Sequence, residues 1–508
     1  MKMLKHTSVV AALAAAGAVS FVGSASAVGV NVDGLGEALI YPYYTARGGN
    51  ATLLSLVNTT NEAKAVKVRF REAKNSEDVL DFNLYLSPYD VWTGGVFANG
   101  AGARLITSDT SCTAPAKTAW IALGGGAYAV DFFKFAYEGT DGDTQTLDRT
   151  LEGYVEIIEM ATIKSSGAVS APIFKASKHV AGVAPCGADI PTGSSTTIGA
   201  GIDAPSGGLF GSSTYVSLGN GAATSVNATA LNGFGRTGRI TPSDNVSPNL
   251  FDHGSAIAAV TTPTQVVVAN MTVAIDPVVE GTQTITAARA TSAAITSSNV
   301  YGEYGYTADL SIASDWVITF PTKNFFVNRA TALAPFSRIW NKTTKVACET
   351  VSLTSTDREE TRASGPGVGF SPKPPDADPN SLCYEANVIS FGSGAKATGP
   401  SGVLASANTL WFAGTQGAKD GGWLDLQFTG VNAVAGVPGT VVAGLDLTNG
   451  STIGTGTVTF VGLPVVGFSA SGIKVTAPAA GAPRDNYSAS ANLAFKKNIR
   501  ITQTVIPQ

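Results

Sequence analysis

Between about residue 37 and residue 160, apolar and polar positions alternate in short runs broken by turn residues. Val66, Val68 and Phe70 fall on one face of an extended segment, with Lys67, Arg69 and Arg71 on the other. That period of two predicts a half-buried strand. Asn75-Ser76-Glu77-Asp78 turns the chain, and Leu80, Phe82, Leu84 and Leu86 then alternate with Asp81, Asn83 and Tyr85. Leu39-Ile40-Tyr41-Pro42-Tyr43-Tyr44 reads as an edge strand bent at its proline, because proline cannot donate to a ladder. Thr52–Asn58, Trp92–Phe97, Tyr128–Tyr137 and Gly153–Ile163 complete the set, though Glu156-Ile157-Ile158-Glu159-Met160 fits a helix start equally well. Short strands separated by frequent turns predict an all-β fold, an immunoglobulin-like antiparallel β-sandwich.

From 187 to 300 the pattern dissolves into Gly, Ser, Thr and Ala with few aromatics, which reads as a long insertion. It carries one helix near Ala287–Ser297 and has too thin an aromatic content for a core of its own. Strand patterns return at Asp315–Phe320 and Phe325–Val327, then at Thr409–Ala413, Trp423–Thr429, Thr440–Leu447, Thr457–Phe468 and Ala489–Ile501. The polar stretch 356–376 ends in a proline cluster that excludes helix and central strand. The expected organisation is residues 1–27 as a signal peptide, 28–186 as an N-terminal β-sandwich region, 187–300 as the insertion and 301–508 as a C-terminal β-rich region.

The first segment changes the picture from a β protein to an exported one. Lys2 and Lys5 precede an apolar run, Val9–Val22, that closes on Ala25-Ser26-Ala27, the small-residue pattern of a cleavage site. The run is too short and too rich in alanine for a spanning helix, and no second run of about 18 apolar residues follows. The chain also lacks the terminal aromatic of an outer-membrane barrel. Loss of Lys2 and Lys5 makes the net charge two units more negative than the −4 of the whole chain, which argues against nucleic acid. Charged residues make up only 14% of the chain, against about 25% in ordinary soluble proteins. A surface so sparing of charge lowers the barrier to self-association.

Cys112, Cys186, Cys348 and Cys383 form no C-x-x-C pair, so a zinc site is not expected. In an oxidising compartment four cysteines make two disulfides in one of three connectivities, and the sequence-local pairs Cys112–Cys186 and Cys348–Cys383 are favoured.

Several long segments, Glu37–Thr45, Lys64–Glu72 and Val79–Thr93, resemble a family of secreted Gram-negative bacterial surface-type proteins. Ser314–Lys323 and Gly462–Phe468 fit the same family, so the resemblance spans most of the chain after Ala27. It implies export. The family has no established activity, so it transfers no functional residue.

Candidate chemistry is sparse. Beyond the signal segment only His179 and His253 remain, each in a polar stretch where a solvated histidine is the ordinary case. Gly467-Phe468-Ser469-Ala470-Ser471 lacks the final glycine of a nucleophile elbow. Glu156 with Glu159, or Glu359 with Glu360, are the close carboxylate pairs that a glycosidase would need, without a geometry to recommend them. Calcium is the better cofactor candidate. Asp376, Asp378 and Asn380 place oxygen ligands at alternate positions, and Asp141–Gln145 with Glu152 faintly echoes an EF-hand loop, with Thr146 where that loop needs glycine. The sequons at Asn58, Asn227, Asn270 and Asn341 arise by chance in a Thr/Asn-rich chain.

These observations predict an exported structural protein of the cell exterior, a surface-layer, filament or matrix subunit whose partner is a copy of itself. An adhesin or carbohydrate-binding protein is the alternative, with cell-surface glycans stacked on aromatics such as Tyr41, Tyr43, Tyr44, Trp92 or Trp423, although core packing suits most of these better. A carboxylate-dependent extracellular hydrolase is the third reading.

Overall fold

The computed structural model describes residues 27–503, apart from 135–140, 193–195, 235–237, 252–254, 272–278, 307–311, 365–368, 372–379, 392–398, 414–420, 429–435, 447–450 and 474–486, and positions 198, 220, 246, 264, 281–282 and 454–455. About half of the chain is strand, arranged in several antiparallel sheets that do not close into a barrel. This is an all-β sandwich architecture, with minor helix at Ser170–Ser177, Ile285–Ile295 and Lys323–Val327.

The first sandwich packs two large sheets. One runs, in spatial order, through Thr229–Asn232, Ala38–Thr45, Glu152–Ile163, Ala63–Glu72, Asp78–Leu86 and Cys112–Ala114. The other runs through Ala223–Asn227, Leu209–Ser217, Asn50–Asn58, Val91–Asn99, Gly102–Thr107, Ala127–Asp131 and Ile121–Gly124. Their facing residues, among them Leu39, Leu56, Val68, Phe82, Trp92, Leu105 and Ile157, form one dry core. Leu209–Ser217 pairs along its whole length with Asn50–Asn58, so part of the Gly/Ser/Thr/Ala-rich stretch lies inside this sheet. Gly211 permits that: a Cβ there would sit 1.9 Å from the Tyr41 hydroxyl, which donates to the Ser55 carbonyl at 2.8 Å.

The second sandwich sets Gly369–Ser371, Thr409–Ala413, Ala386–Phe391, Ile312–Thr319, Val466–Ile473 and Tyr487–Ala491 against Arg362–Ser364, Ser352–Asp357, Gly421–Gln427, Asn299–Gly305 and Ala494–Lys496. All its pairings are antiparallel except that between Ala386–Phe391 and Thr409–Ala413. Its core is aromatic, with Trp316, Phe320, Phe326, Phe336, Phe391 and Phe428 in mutual contact. A further sheet, Ile257–Thr261, Gln265–Asn270, Gly436–Asp446, Gly456–Val461 and Asn498–Gln503, lies beside the Ile285–Ile295 helix.

Several expectations change. Ala38–Thr45 is an interior strand, paired on both sides, and Pro42 is accommodated where the register shifts opposite Tyr154. Glu152–Ile163 is strand throughout. Phe325–Val327 belongs to a short helix, because the chain turns at Pro321 and Thr322 and buries Phe325 and Phe326 on one side. Thr457–Phe468 is broken at Gly462, whose φ of +117° lies outside the strand region, and Ala489–Ile501 is likewise three short strands. Within 356–376, Arg362–Ser364 and Gly369–Ser371 form short strands, and the prolines at 372, 374 and 375 lie outside the described residues. Both sequence-local disulfides are formed, Cys112–Cys186 and Cys348–Cys383.

The Ala63–Glu72 strand is the largest departure. Its charged face, expected in solvent, is buried along its whole length. Lys67 donates to the carbonyls of Pro242 (3.1 Å) and Ser243, and Arg69 to Pro248 (3.1 Å), so the described residues of 241–248 roof the sheet. Asp78 pairs with Arg69 and with Arg71 (3.3 Å), Asp81 with Lys67 (3.6 Å) and Glu156 with Arg71 (3.4 Å). Each buried cation thus has the anionic or carbonyl partner that burial demands.

Candidate binding surface

The sequence-derived candidates are nearly all consumed inside the fold. Glu156 faces Arg71, and burial raises its carboxyl above the usual range despite that guanidinium. Glu159 accepts from Lys64 at 2.8 Å, from the Gly207 amide at 2.9 Å and from the Thr162 hydroxyl at 2.9 Å. Both carboxylates are buried, so neither presents an oxygen to a substrate. Glu359 and Glu360 sit in an exposed turn closed on the Asp357 carboxylate.

The carboxylates of the EF-hand echo are paired within the protein as well. Arg149 takes Asp141 at 2.7 Å and Glu72 at 2.8 Å, and Lys74 takes Asp143 at 2.7 Å. Glu152 is held by Arg47 at 2.6 Å and by the hydroxyls of Tyr43 and Ser406, each at 2.6 Å. Protein cations and hydroxyls occupy the oxygens that a calcium ion would need. Of the other calcium candidates, Asp376 and Asp378 lie outside the described residues, whereas Asn380 is described and its carbonyl accepts the Val351 amide at 2.8 Å. Among the described residues, no three His, Cys, Asp or Glu side chains converge as a metal site would require.

His253 lies outside the described residues. His179 has a setting that the sequence could not show. Its Nδ1 is 2.8 Å from the Ser87 hydroxyl and 3.5 Å from Asp90, and its Nε2 is 3.0 Å from the Thr110 hydroxyl. Thr110 donates to the Gly182 carbonyl at 2.8 Å, so its oxygen accepts from Nε2–H, and Nε2 cannot take a proton from Thr110. The ring fastens three loops next to the Cys112–Cys186 bridge.

The carboxylate–arginine cluster around Arg149 lies where the two sandwiches meet. Trp340 donates to the Asp141 carbonyl at 2.7 Å, Thr319 to the Pro42 carbonyl at 2.6 Å and Tyr154 to the Pro321 carbonyl at 3.2 Å. Tyr43 and Tyr215 pack there with Val317, Val388 and Phe468. Deeper in, Lys323 donates to the Cys383 (3.0 Å) and Tyr384 (3.2 Å) carbonyls, and Glu385 accepts the Asn324 amide at 3.2 Å. Burial pushes Lys323 down to about 8 and Glu385 up to about 8. This seam joins the sandwiches.

Two surface features among the described residues bear on binding. The first is the hairpin Ile121–Gly124 and Ala127–Asp131, which ends the second sheet of the first sandwich. Gly124, Gly125 and Gly126 turn it with φ of +86°, +61° and +83°, values that glycine alone adopts freely. All four residues of the outer strand are exposed, Ile121 to 44% and Leu123 to 45%. That strand carries no charge and no proline, the usual protections of an open edge. The opposite edge of the same sheet is guarded: Ser490 of the second sandwich donates to the Ser225 carbonyl at 2.6 Å.

The second feature is the outer face of the sheet built from Asn299–Gly305, Gly421–Gln427 and Ser352–Asp357. Val300, Leu424, Leu426 and Leu353 point into the core, so the alternate residues face the other way: Glu303 and Trp423 are exposed, Asn299, Tyr301 and Gln427 partly so, and Asp425 is buried beneath them. Of the aromatics singled out for glycan stacking, Tyr41, Tyr43, Tyr44 and Trp92 are core residues and Trp423 alone is exposed, to 41%.

No family model, no curated protein and no solved structure matches this chain. Among the described residues no helix is long and apolar enough to cross a membrane.

Proposed function

We propose that this chain is an exported structural protein of the cell exterior, a surface-layer, filament or matrix subunit that assembles non-covalently with copies of itself. The observation that carries the reading is the uncharged, exposed edge strand Ile121–Gly124. Its outer backbone groups form a template for another strand, the arrangement by which sheets extend from one molecule to the next. The rest of the body suits a load-bearing subunit: two sandwiches, two disulfides and a seam of internally paired charges. Export through a signal peptide cleaved after Ala27 and membership of the surface-type family belong to the same proposal, as does a calcium ion held by Asp376, Asp378 and Asn380.

Size-exclusion chromatography with light scattering on residues 28–508 tests it. The native protein is expected to form concentration-dependent oligomers, and the double variant Ile121→Lys/Leu123→Lys to remain monomeric, since edge lysines block strand addition. Equal oligomer formation by both contradicts the role of this edge.

A further inference from the structure

We propose that the outer face around Trp423 binds a neutral polysaccharide, with a pyranose ring laid on the Tyr301–Trp423 aromatic pair. This inference does not depend on self-assembly. Tyr301 and Trp423 are diagonal neighbours on adjacent strands, with ring centroids 6.4 Å apart and planes tilted by 46°. Gly302, between Tyr301 and Glu303, has no side chain because Trp316 lies beneath it: a Cβ would come within 2.7 Å of that ring. Trp316 also donates its indole N–H to the Glu303 carbonyl at 3.0 Å, which fixes the strand that presents Tyr301. The platform therefore stands on a rigid, packed layer.

Around the rings lie groups suited to hydroxyls. Asp425 is directly opposite Tyr301 and accepts from Asn299 at 2.8 Å and from Gln427 at 2.6 Å. The buried Asp425 carboxylate thus orients two partly exposed amides, Asn299 and Gln427, in one row along the sheet. Glu303, exposed, stands directly opposite Trp423 and supplies further acceptors at the rim. A sugar ring offers what this surface lacks, an apolar C–H face for the aromatics and hydroxyls that both donate and accept. Aromatic faces flanked by a few oriented polar groups are how proteins hold amphipathic ligands.

The charge pattern narrows the class. Glu303 is exposed beside Trp423 and Asp425 lies buried under the rings, while Arg362 and Lys496 lie on the outer strands at either side. The exposed Glu303 carboxylate beside Trp423, with the buried Asp425 charge close below, disfavours anionic sugars and leaves neutral ones. A protein partner fits poorly, because one exposed and one partly exposed ring fall far short of the roughly 1,200 Å² that a stable protein interface buries.

The test uses intact residues 28–508 on an array of neutral and acidic glycans, followed by titration calorimetry with the best neutral oligosaccharide. Binding to at least one neutral class is expected, weakened at least about tenfold by Trp423→Ala or Tyr301→Ala and largely retained by Trp423→Phe. Because Trp423 is a surface residue, an unchanged thermal midpoint separates lost binding from lost folding. The Ile121→Lys/Leu123→Lys variant is expected to bind as the native protein does. Absence of binding to every glycan, binding only to acidic glycans, or equal binding by Trp423→Ala overturns the proposal.

Discussion

In the first sandwich, one sheet buries Lys64, Lys67, Arg69, Arg71, Glu156 and Glu159 against a roof of backbone carbonyls and against one another. That layer lies on the face away from the apolar core of Leu39, Val68 and Ile157, whereas the second sandwich buries Trp316, Phe320, Phe391 and Phe428 between its sheets, with edge-on and tilted ring contacts. Both solutions keep water out. They differ in what an error costs: an aromatic core loses contact area when one ring is removed, whereas an ionic layer exposes a stranded charge to a low-dielectric interior.

That difference is sharpest in double substitutions. Lys64→Met removes the ammonium that Glu159 faces and is expected to cost about 3–5 kcal/mol, most of which the pair Lys64→Met/Glu159→Leu recovers. Phe391→Ala is expected to cost a similar sum, about 3–5 kcal/mol, with no neighbouring substitution that restores it. Urea unfolding of the four proteins reads both. Next in size come the disulfides. Replacing either Cys112 and Cys186 or Cys348 and Cys383 with serine should lower stability by about 2–4 kcal/mol, with the longer 74-residue loop the more costly.

A pH series probes the seam. Burial raises Glu385 from 4.5 to about 8, so the fold favours its protonated form. Its contribution is complete below about pH 4.5 and is lost as pH rises to about 8. Glu385→Gln should flatten that decline. Lys497 behaves oppositely: burial at the end of the Ile285–Ile295 helix, where it donates to Ala294 and Thr296, lowers it to about 7. Its folding penalty is full below about pH 7 and fades toward 10.5, so Lys497→Met should gain most at neutral and acid pH. Denaturation midpoints at unit pH steps measure both. The smallest effect is expected at the half-exposed Arg104–Asp131 pair, where Arg104→Ala should cost only about 0.2–1 kcal/mol.

The alternation of Val66, Val68 and Phe70 was enough to place a strand and its core face. It could not show that the Lys67–Arg71 face is roofed, because a strand facing water and a strand facing fixed carbonyls have the same binary pattern. The 241–248 roof lies some 175 residues away from Lys67 in sequence, and only tertiary structure brings the two together. Cysteine spacing favoured the disulfide pairing that forms, since each pair closes its own loop. Trp423 was legible as an aromatic in a strand. Tyr301 and Asp425 were not, because partnership across a ladder depends on register, which no local pattern encodes.

Negative-stain microscopy of residues 28–508, with and without millimolar calcium, tests the proposed role most directly. The account predicts ordered sheets or filaments that the Ile121→Lys/Leu123→Lys variant fails to form, with calcium dependence pointing to Asp376, Asp378 and Asn380. A monodisperse monomer under both conditions would contradict self-assembly as the work of this protein.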